Sequence, residues 1–152
     1  MKIRIEISEE TDEEIVIRCK RENARIRELE NILGTMLRGS SELVLHVDNT
    51  EYYVPVKEIL FFETQAGRVY AHTSDRMYRS DLRLFELEAT MPYWFTRISK
   101  AAVANVKEIE SLRRELTGNG EISFRGCDKT VYFSRAYYHQ LKDKIEEVRC
   151  LK

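Results

Sequence analysis

Between residues 43 and 133 the sequence is a succession of short alternating segments, each interrupted by a turn signal before a long helix can form. Leu43, Leu45 and Val47 alternate with other positions, Asp48-Asn49-Thr50 turns the chain, and Tyr52, Val54 and Val56 alternate again. The run Ile59-Leu60-Phe61-Phe62 suits a strand covered on both faces. Gln65-Ala66-Gly67 leads into a strand over residues 68–73, and Asp75-Arg76 into another over 77–79. Strand character returns over residues 94–98 and 107–116. Gly118-Asn119-Gly120 predicts a tight hairpin. Ile122 and Phe124, then Val131 and Phe133, alternate on either side of a Gly126-Cys127-Asp128 turn. Helical spacing intrudes twice. Ser80 is the expected cap of a helix to about residue 89 that buries Leu82, Phe85 and Ala89. Ser134 is the expected cap of a last helix with Tyr138, Leu141, Ile145 and Val148 on one stripe. The sum is a mostly-β or α+β domain of about eight short antiparallel strands with one or two short helices.

The first 40 residues have a different pattern. Residues 2–7 and 14–19 alternate, with Ile3, Ile5 and Ile7, then Ile15, Ile17 and Cys19, each on one side. Ile26, Leu29, Leu33 and Met36 mark a helix over residues 23–37, which Gly34 weakens and Gly39-Ser40-Ser41 ends. The expected organisation is an amino-terminal strand–strand–helix appendage over residues 1–40, a dimerisation or regulatory element, and a main domain over 41–152. The helix stripe fits two heptads and could join two copies of the chain in a homodimer; equally, it could cover strands of its own chain.

Composition narrows the function. Apolar residues make up 43% and charged residues 34%, the balance of a soluble globular chain. No stretch approaches the ~20 apolar residues of a membrane span, and the amino terminus lacks the apolar run of a signal peptide, so no membrane insertion and a cytoplasmic location are expected. Cys19, Cys127 and Cys150 are not in CxxC spacing, and His46, His72 and His139 are in no metal-ligand pattern. Neither metal nor cofactor is expected. Phosphate-loop, GxSxG and HExxH motifs are missing, and the acidic run at residues 9–14 reads as a solvated surface, so no enzymatic function is expected. A net charge of −1 hides an asymmetry: residues 1–50 carry 11 acidic and 8 basic side chains, residues 51–152 carry 15 and 17.

Four motifs, in order, resemble those of LytTR DNA-binding domains. Ile59-Leu60-Phe61-Phe62-Glu63, a glycine turn and Arg68-Val69-Tyr70-Ala71-His72 are similar to the family's opening. The stretch from Asp81-Leu82 to Leu87-Glu88 resembles its short helix. The segment from Phe95-Thr96-Arg97-Ile98-Ser99-Lys100 through Ala101-Ala102-Val103-Ala104-Asn105 is similar to its F-x-R-I-x-[RK]-S-x-x-V-N motif. Val131-Tyr132-Phe133-Ser134-Arg135-Ala136-Tyr137 resembles its closing motif, in which a Ser-Arg pair opens the last helix. The similarity runs from about residue 41 to residue 147. Two positions depart from the pattern: Ala101 replaces the usual Ser, losing any phosphate contact by that hydroxyl, and Ala104 replaces a larger residue before Asn105. A phosphoacceptor receiver takes roughly 110–120 residues, a whole domain, and only about 40 precede the motifs, so the stand-alone branch of the family is the closer likeness.

The resemblance implies three small antiparallel sheets, with loops at one edge entering successive major grooves of double-stranded DNA at direct repeats in promoters. It places Arg135, Lys100 and Arg68 at base-reading positions. Arg135 also opens the last helix, whose unpaired N–H groups attract phosphate, and a guanidinium can bind O6 and N7 of guanine together. Arg97 and Ser99 flank Lys100 and suit phosphate contact, which positions without specifying. Asn105 is expected to hold loop backbone. Phe61, Phe62, Trp94 and Phe95 are expected in the core, because their neighbours alternate as strands do. The competing expectation is a protein-interaction module on the same fold with little DNA affinity, its partner a regulatory membrane protein; the low net charge and Ala101 favour it. RNA binding lacks exposed aromatic platforms.

Overall fold

A computed structural model describes residues 15–21, 23–37 and 42–150, except for the side chains of 35–37 and 150. Helix α1 (Ala24–Leu37) comes first. Strands β1 (Glu42–Val47), β2 (Thr50–Pro55), β3 (Phe61–Gln65), β4 (Arg68–His72) and β5 (Met77–Ser80) follow. Helix α2 (Leu84–Thr90) separates them from β6 (Phe95–Ser99), β7 (Ala102–Asn105), β8 (Ile109–Arg114), β9 (Gly120–Phe124) and β10 (Thr130–Phe133). A 3-10 turn, Arg135–Tyr137, leads into α3 (Tyr138–Cys150). The mostly-β architecture is the expected one, and every strand pair is antiparallel.

The described strands make two sheets, not three. Seven strands run in the order β2-β1-β5-β4-β3-β7-β6, and three in the order β10-β9-β8. The β1–β2 hairpin joins the rest of the large sheet through a single bridging pair, His46 with Arg79. Side chains reinforce that join: Asp81 lies 2.9 Å from His46 Nε2 and 3.7 Å from Arg79. This one pair merges two of the three expected sheets into one.

One aromatic stack, Phe61 on Phe124, joins the two sheets, and further rings pack beside it within the large sheet. Phe61 on β3 stacks on Phe124 of β9 at 5.2 Å and on His72 of β4 at 4.3 Å, while Phe62 tilts against Phe95 at 5.9 Å. Phe61, Phe62, Trp94 and Phe95 are all buried, as expected. Helix α3 packs on β6 and puts Leu141, Ile145 and Val148 into this core, with Tyr138 partly buried beside them. Asn105 is buried and donates from Nδ2 to Ile59 O at 2.9 Å, while its Oδ1 accepts from Lys107 N at 3.1 Å. It ties the end of β7 to the entrance of β3.

Three local expectations fail for identifiable reasons. The Ser80 hydroxyl accepts from Leu82 N at 3.1 Å and closes a bend, so the helix begins only at Leu84. There Glu86 accepts from Arg83 N at 2.8 Å as half of a capping box. The later start rotates the buried stripe: Leu84, Leu87 and Met91 face the core, and Phe85 is 63% exposed with Leu82 and Ala89 on the solvent side. Ser134 makes no side-chain cap: Tyr137 N donates to the Ser134 carbonyl at 3.0 Å, and Asn119 Oδ1 accepts the Arg135 N–H at 2.8 Å. Residues 15–19 are exposed and form no strand, while the first expected strand, 2–7, lies outside the described residues.

Candidate nucleic-acid interface

Lys100 and Ala101 connect β6 to β7, where the register shifts between Arg97 and Ser99. Such a bulge leaves carbonyls without ladder partners. Arg97 supplies them. Its Nε donates to Ser99 O at 2.8 Å, one terminal nitrogen to Lys100 O at 2.7 Å, and the other pairs with Glu88 Oε2 on α2 at 3.1 Å. The Ser99 hydroxyl accepts from Ala101 N at 3.1 Å, and Ala101 O accepts from Thr64 N of β3 at 2.8 Å. With its backbone fixed on both sides, the Lys100 side chain remains exposed.

Beside it is the β3–β4 turn. Gln65 pairs with Arg68, leaving Ala66 and Gly67 as a two-residue connection with φ of 48° and 75°. Positive φ at both positions matches the twist of the strands, and glycine adopts it without steric cost. Arg68 opens β4 and is exposed.

The third element starts where Ser134 N donates to Ile98 O of β6 at 3.0 Å. The next residue, Arg135, is exposed, and its backbone is held by Asn119 from the β8–β9 loop. Gly118 in that loop has φ of +90° and lies against the Arg135 stem, so a Cβ there would sit 2.7 Å from Arg135 Cδ. Neighbouring Arg114 stacks on the Tyr138 ring at 4.1 Å.

Hydrogen bonds thus connect all three elements: Thr64 to Ala101, Ile98 to Ser134, and Asn119 to Arg135. The three joined elements carry Arg68, Lys100 and Arg135, distant in sequence and each exposed. Arg97 and Ser99 lie beneath Lys100, and Arg97 is turned inward, its side chain 17% exposed. Sequence reasoning missed Glu88, Gly118 and Asn119 as parts of this arrangement; only the helix motif and a turn signal mark them.

His72 is buried against the Phe61 ring, and its Nε2 has no hydrogen-bond partner. Burial, and secondarily the nearby Lys129 ammonium, lowers the pKa of His72 to about 4. The ring is neutral near pH 7, so its 3.6 Å approach to Glu63 is neither an ion pair nor a hydrogen bond. Asp75 accepts from the Thr73 hydroxyl at 3.1 Å. Among the described residues no group of His, Cys, Asp or Glu is arranged to hold a metal ion, and no helix is long and apolar enough to cross a membrane.

This is a β-rich module whose exposed Arg68, Lys100 and Arg135 lie at turns between strands and in the turn before the last helix. Comparison with known proteins supplies the family. Residues 49–146 match the LytTr DNA-binding domain, and the chain belongs to that family. An HTH-type transcriptional regulator of Staphylococcus aureus strain MSSA476 is 30% identical over 146 residues, covering 95% of this chain and 98% of the relative. Its counterpart in strain NCTC 8325 is 30% identical over 136 residues, covering 90% and 91%. The LytTr DNA-binding domain of a protein described as a methyl-accepting/DNA response regulator from Bacillus cereus shares the fold. Its TM-score is 0.64 at 18% identity, over 70% of this chain and 98% of that one. The relatives' HTH label has no counterpart among the described residues here, where five strands separate α2 from α3.

Proposed function

We propose that this chain is a transcriptional regulator that reads direct repeats in promoter DNA, working in the cytoplasm where the chromosome lies. Family membership supports DNA binding; the observation that carries the finer reading is the hydrogen-bonded joining of the three elements that carry exposed Arg68, Lys100 and Arg135. Three exposed cations on braced loops suit successive grooves better than a single pocket would. Arg135 reads guanine by two hydrogen bonds, and Lys100 and Arg68 add base contacts. The Ser99 hydroxyl, accepting from Ala101 N, still has its proton to donate to a phosphate oxygen.

Direct repeats call for two copies side by side. The proposed seam is the α1 stripe of Ile26, Leu29 and Leu33, which is only half-buried within one chain. The side chain of Met36, the stripe's fourth member, lies outside the described residues. Residues 1–40 then form an assembly element and 41–152 the DNA-binding domain. One observation favours a second reading, a protein-interaction module with a regulatory membrane protein as partner: Leu82, in the bend before α2, and Phe85, on α2, leave apolar surface exposed. Selection of duplexes from a random-sequence pool by the full chain separates the two. Enrichment of a repeated element is expected; failure to enrich any sequence would move the assignment to the second reading.

A further inference from the structure

We infer that Arg97 and Glu88 act as a positioning pair that presets the β6–β7 turn for Lys100, and that Arg97 is not itself a phosphate contact. The inference rests on the reading of Lys100 given above. All three guanidinium nitrogens of Arg97 are engaged within the protein: Nε on Ser99 O, one terminal nitrogen on Lys100 O, the other on Glu88. The two carbonyls flank the peptide that carries Lys100, so the planar fork of one side chain fixes the backbone on both sides of the reader. Glu88 comes from α2, which packs on β3, β6 and β7, and it anchors the fork to a rigid element. A guanidinium turned toward DNA would have to release these partners, orphaning two carbonyls at the bulge and leaving Glu88 as an unpaired negative charge beside the phosphates.

The geometry leads to an expectation of opposite sign from the phosphate-contact alternative. Removing a carboxylate near DNA ordinarily strengthens binding, by relieving repulsion and freeing a cation. If Glu88 anchors the fork, its loss instead loosens the turn and weakens recognition. Arg97→Ala should act through Lys100, so its cost should largely vanish once Lys100 is gone.

The experiment uses the full chain with Glu88→Ala, Arg97→Ala, Lys100→Ala and the Arg97→Ala/Lys100→Ala double variant. The probe is the duplex enriched from the random pool, titrated at two salt concentrations. The Glu88 side chain is 44% exposed, so Glu88→Ala keeps the test independent of folding if Arg97→Ala is unstable. Lys100→Ala is expected to lower affinity about tenfold. Arg97→Ala should cost a similar factor and Glu88→Ala about threefold, with the double variant no weaker than Lys100→Ala by more than about twofold. Tighter binding by Glu88→Ala, or an Arg97→Ala cost that adds fully to that of Lys100→Ala with a further drop of about one in the salt slope, overturns the positioning role and leaves the Lys100 reading standing. No loss in Lys100→Ala overturns the reading of this loop, and the positioning role with it.

Discussion

Helices α1 and α3 are nearly equal in length, 14 and 13 residues, and each carries an apolar stripe, yet they relate to the rest of the molecule differently. Helix α3 buries Leu141, Ile145 and Val148. Helix α1 has no buried residue among those described, and its Ile26, Leu29 and Leu33 are only partly covered. Their beginnings differ in the same way. Helix α1 is capped from its own flank, where Ile26 N donates to Asn23 Oδ1 at 3.1 Å. The turn leading into α3 is capped by Asn119, 16 residues back in the chain. One helix is closed by local contacts; the other is fastened to strands and loops throughout the domain. A stripe at helical spacing announces a face, but what that face meets depends on the rest of the chain.

The largest expected effect tests this contrast directly. Leu141→Ala should cost about 3 kcal/mol in urea unfolding, from lost transfer energy and the cavity left behind. Leu29→Ala at low protein concentration should cost less than about 1 kcal/mol. Equal costs would mean that α1 belongs to the core and would erase the distinction.

Gly118→Ala sharpens the α3 side. The substitution needs φ of +90° and brings a methyl to 2.7 Å from Arg135 Cδ. Destabilisation of about 2 kcal/mol is expected, with a displaced Arg135 and weaker binding to the selected duplex. Unchanged stability and binding would show that the β8–β9 loop does not seat Arg135.

Acid sensitivity should belong to the domain and not to α1. The folded pKa of His72, about 4, lies below its unfolded value near 6.5, so the unfolded chain binds the proton first. The stability from a neutral His72 is fully present above about pH 6.5 and is lost as pH falls toward 4. Between pH 7 and 5.5 wild type should lose about 1 kcal/mol more than His72→Gln, whether or not residues 1–40 are present. Parallel pH profiles for wild type and His72→Gln would refute this. The smallest effect is expected from deletion of residues 1–40 on the fold itself: circular dichroism should keep its β signature, while binding to a tandem site weakens. An unfolded product would make the amino-terminal region part of the core.

The α3 stripe was legible in the sequence because 3.6-residue spacing survives intact from Tyr138 to Val148. The α2 stripe was misread because Ser80 has a capping side chain while Arg83, just before the helix begins, has none; the Ser80 hydroxyl instead closes the bend at Leu82. Strand β7 had no alternation to read, since all four of its residues are buried and both faces are covered. At the candidate interface, motif spacing marked Arg68, Lys100 and Arg135. The residues that brace them were not marked, because Glu88 to Arg97 and Asn119 to Arg135 are contacts made by the folded chain across turns and strands. The inward turn of Arg97 is of the same kind: only its partners distinguish a brace from an exposed cation.

The central claim is that Arg68, Lys100 and Arg135 together recognise a DNA sequence. Its most direct test is fluorescence anisotropy of wild type and Arg135→Ala on the selected duplex and on a scrambled one, at two salt concentrations. The predicted result for wild type is a log–log salt slope of magnitude ~3–6 per protomer. Arg135→Ala should lose ~1–3 kcal/mol on the selected duplex and little on the scrambled one. Affinity that stays flat with salt, or an Arg135→Ala variant that binds both duplexes as wild type does, would contradict the claim.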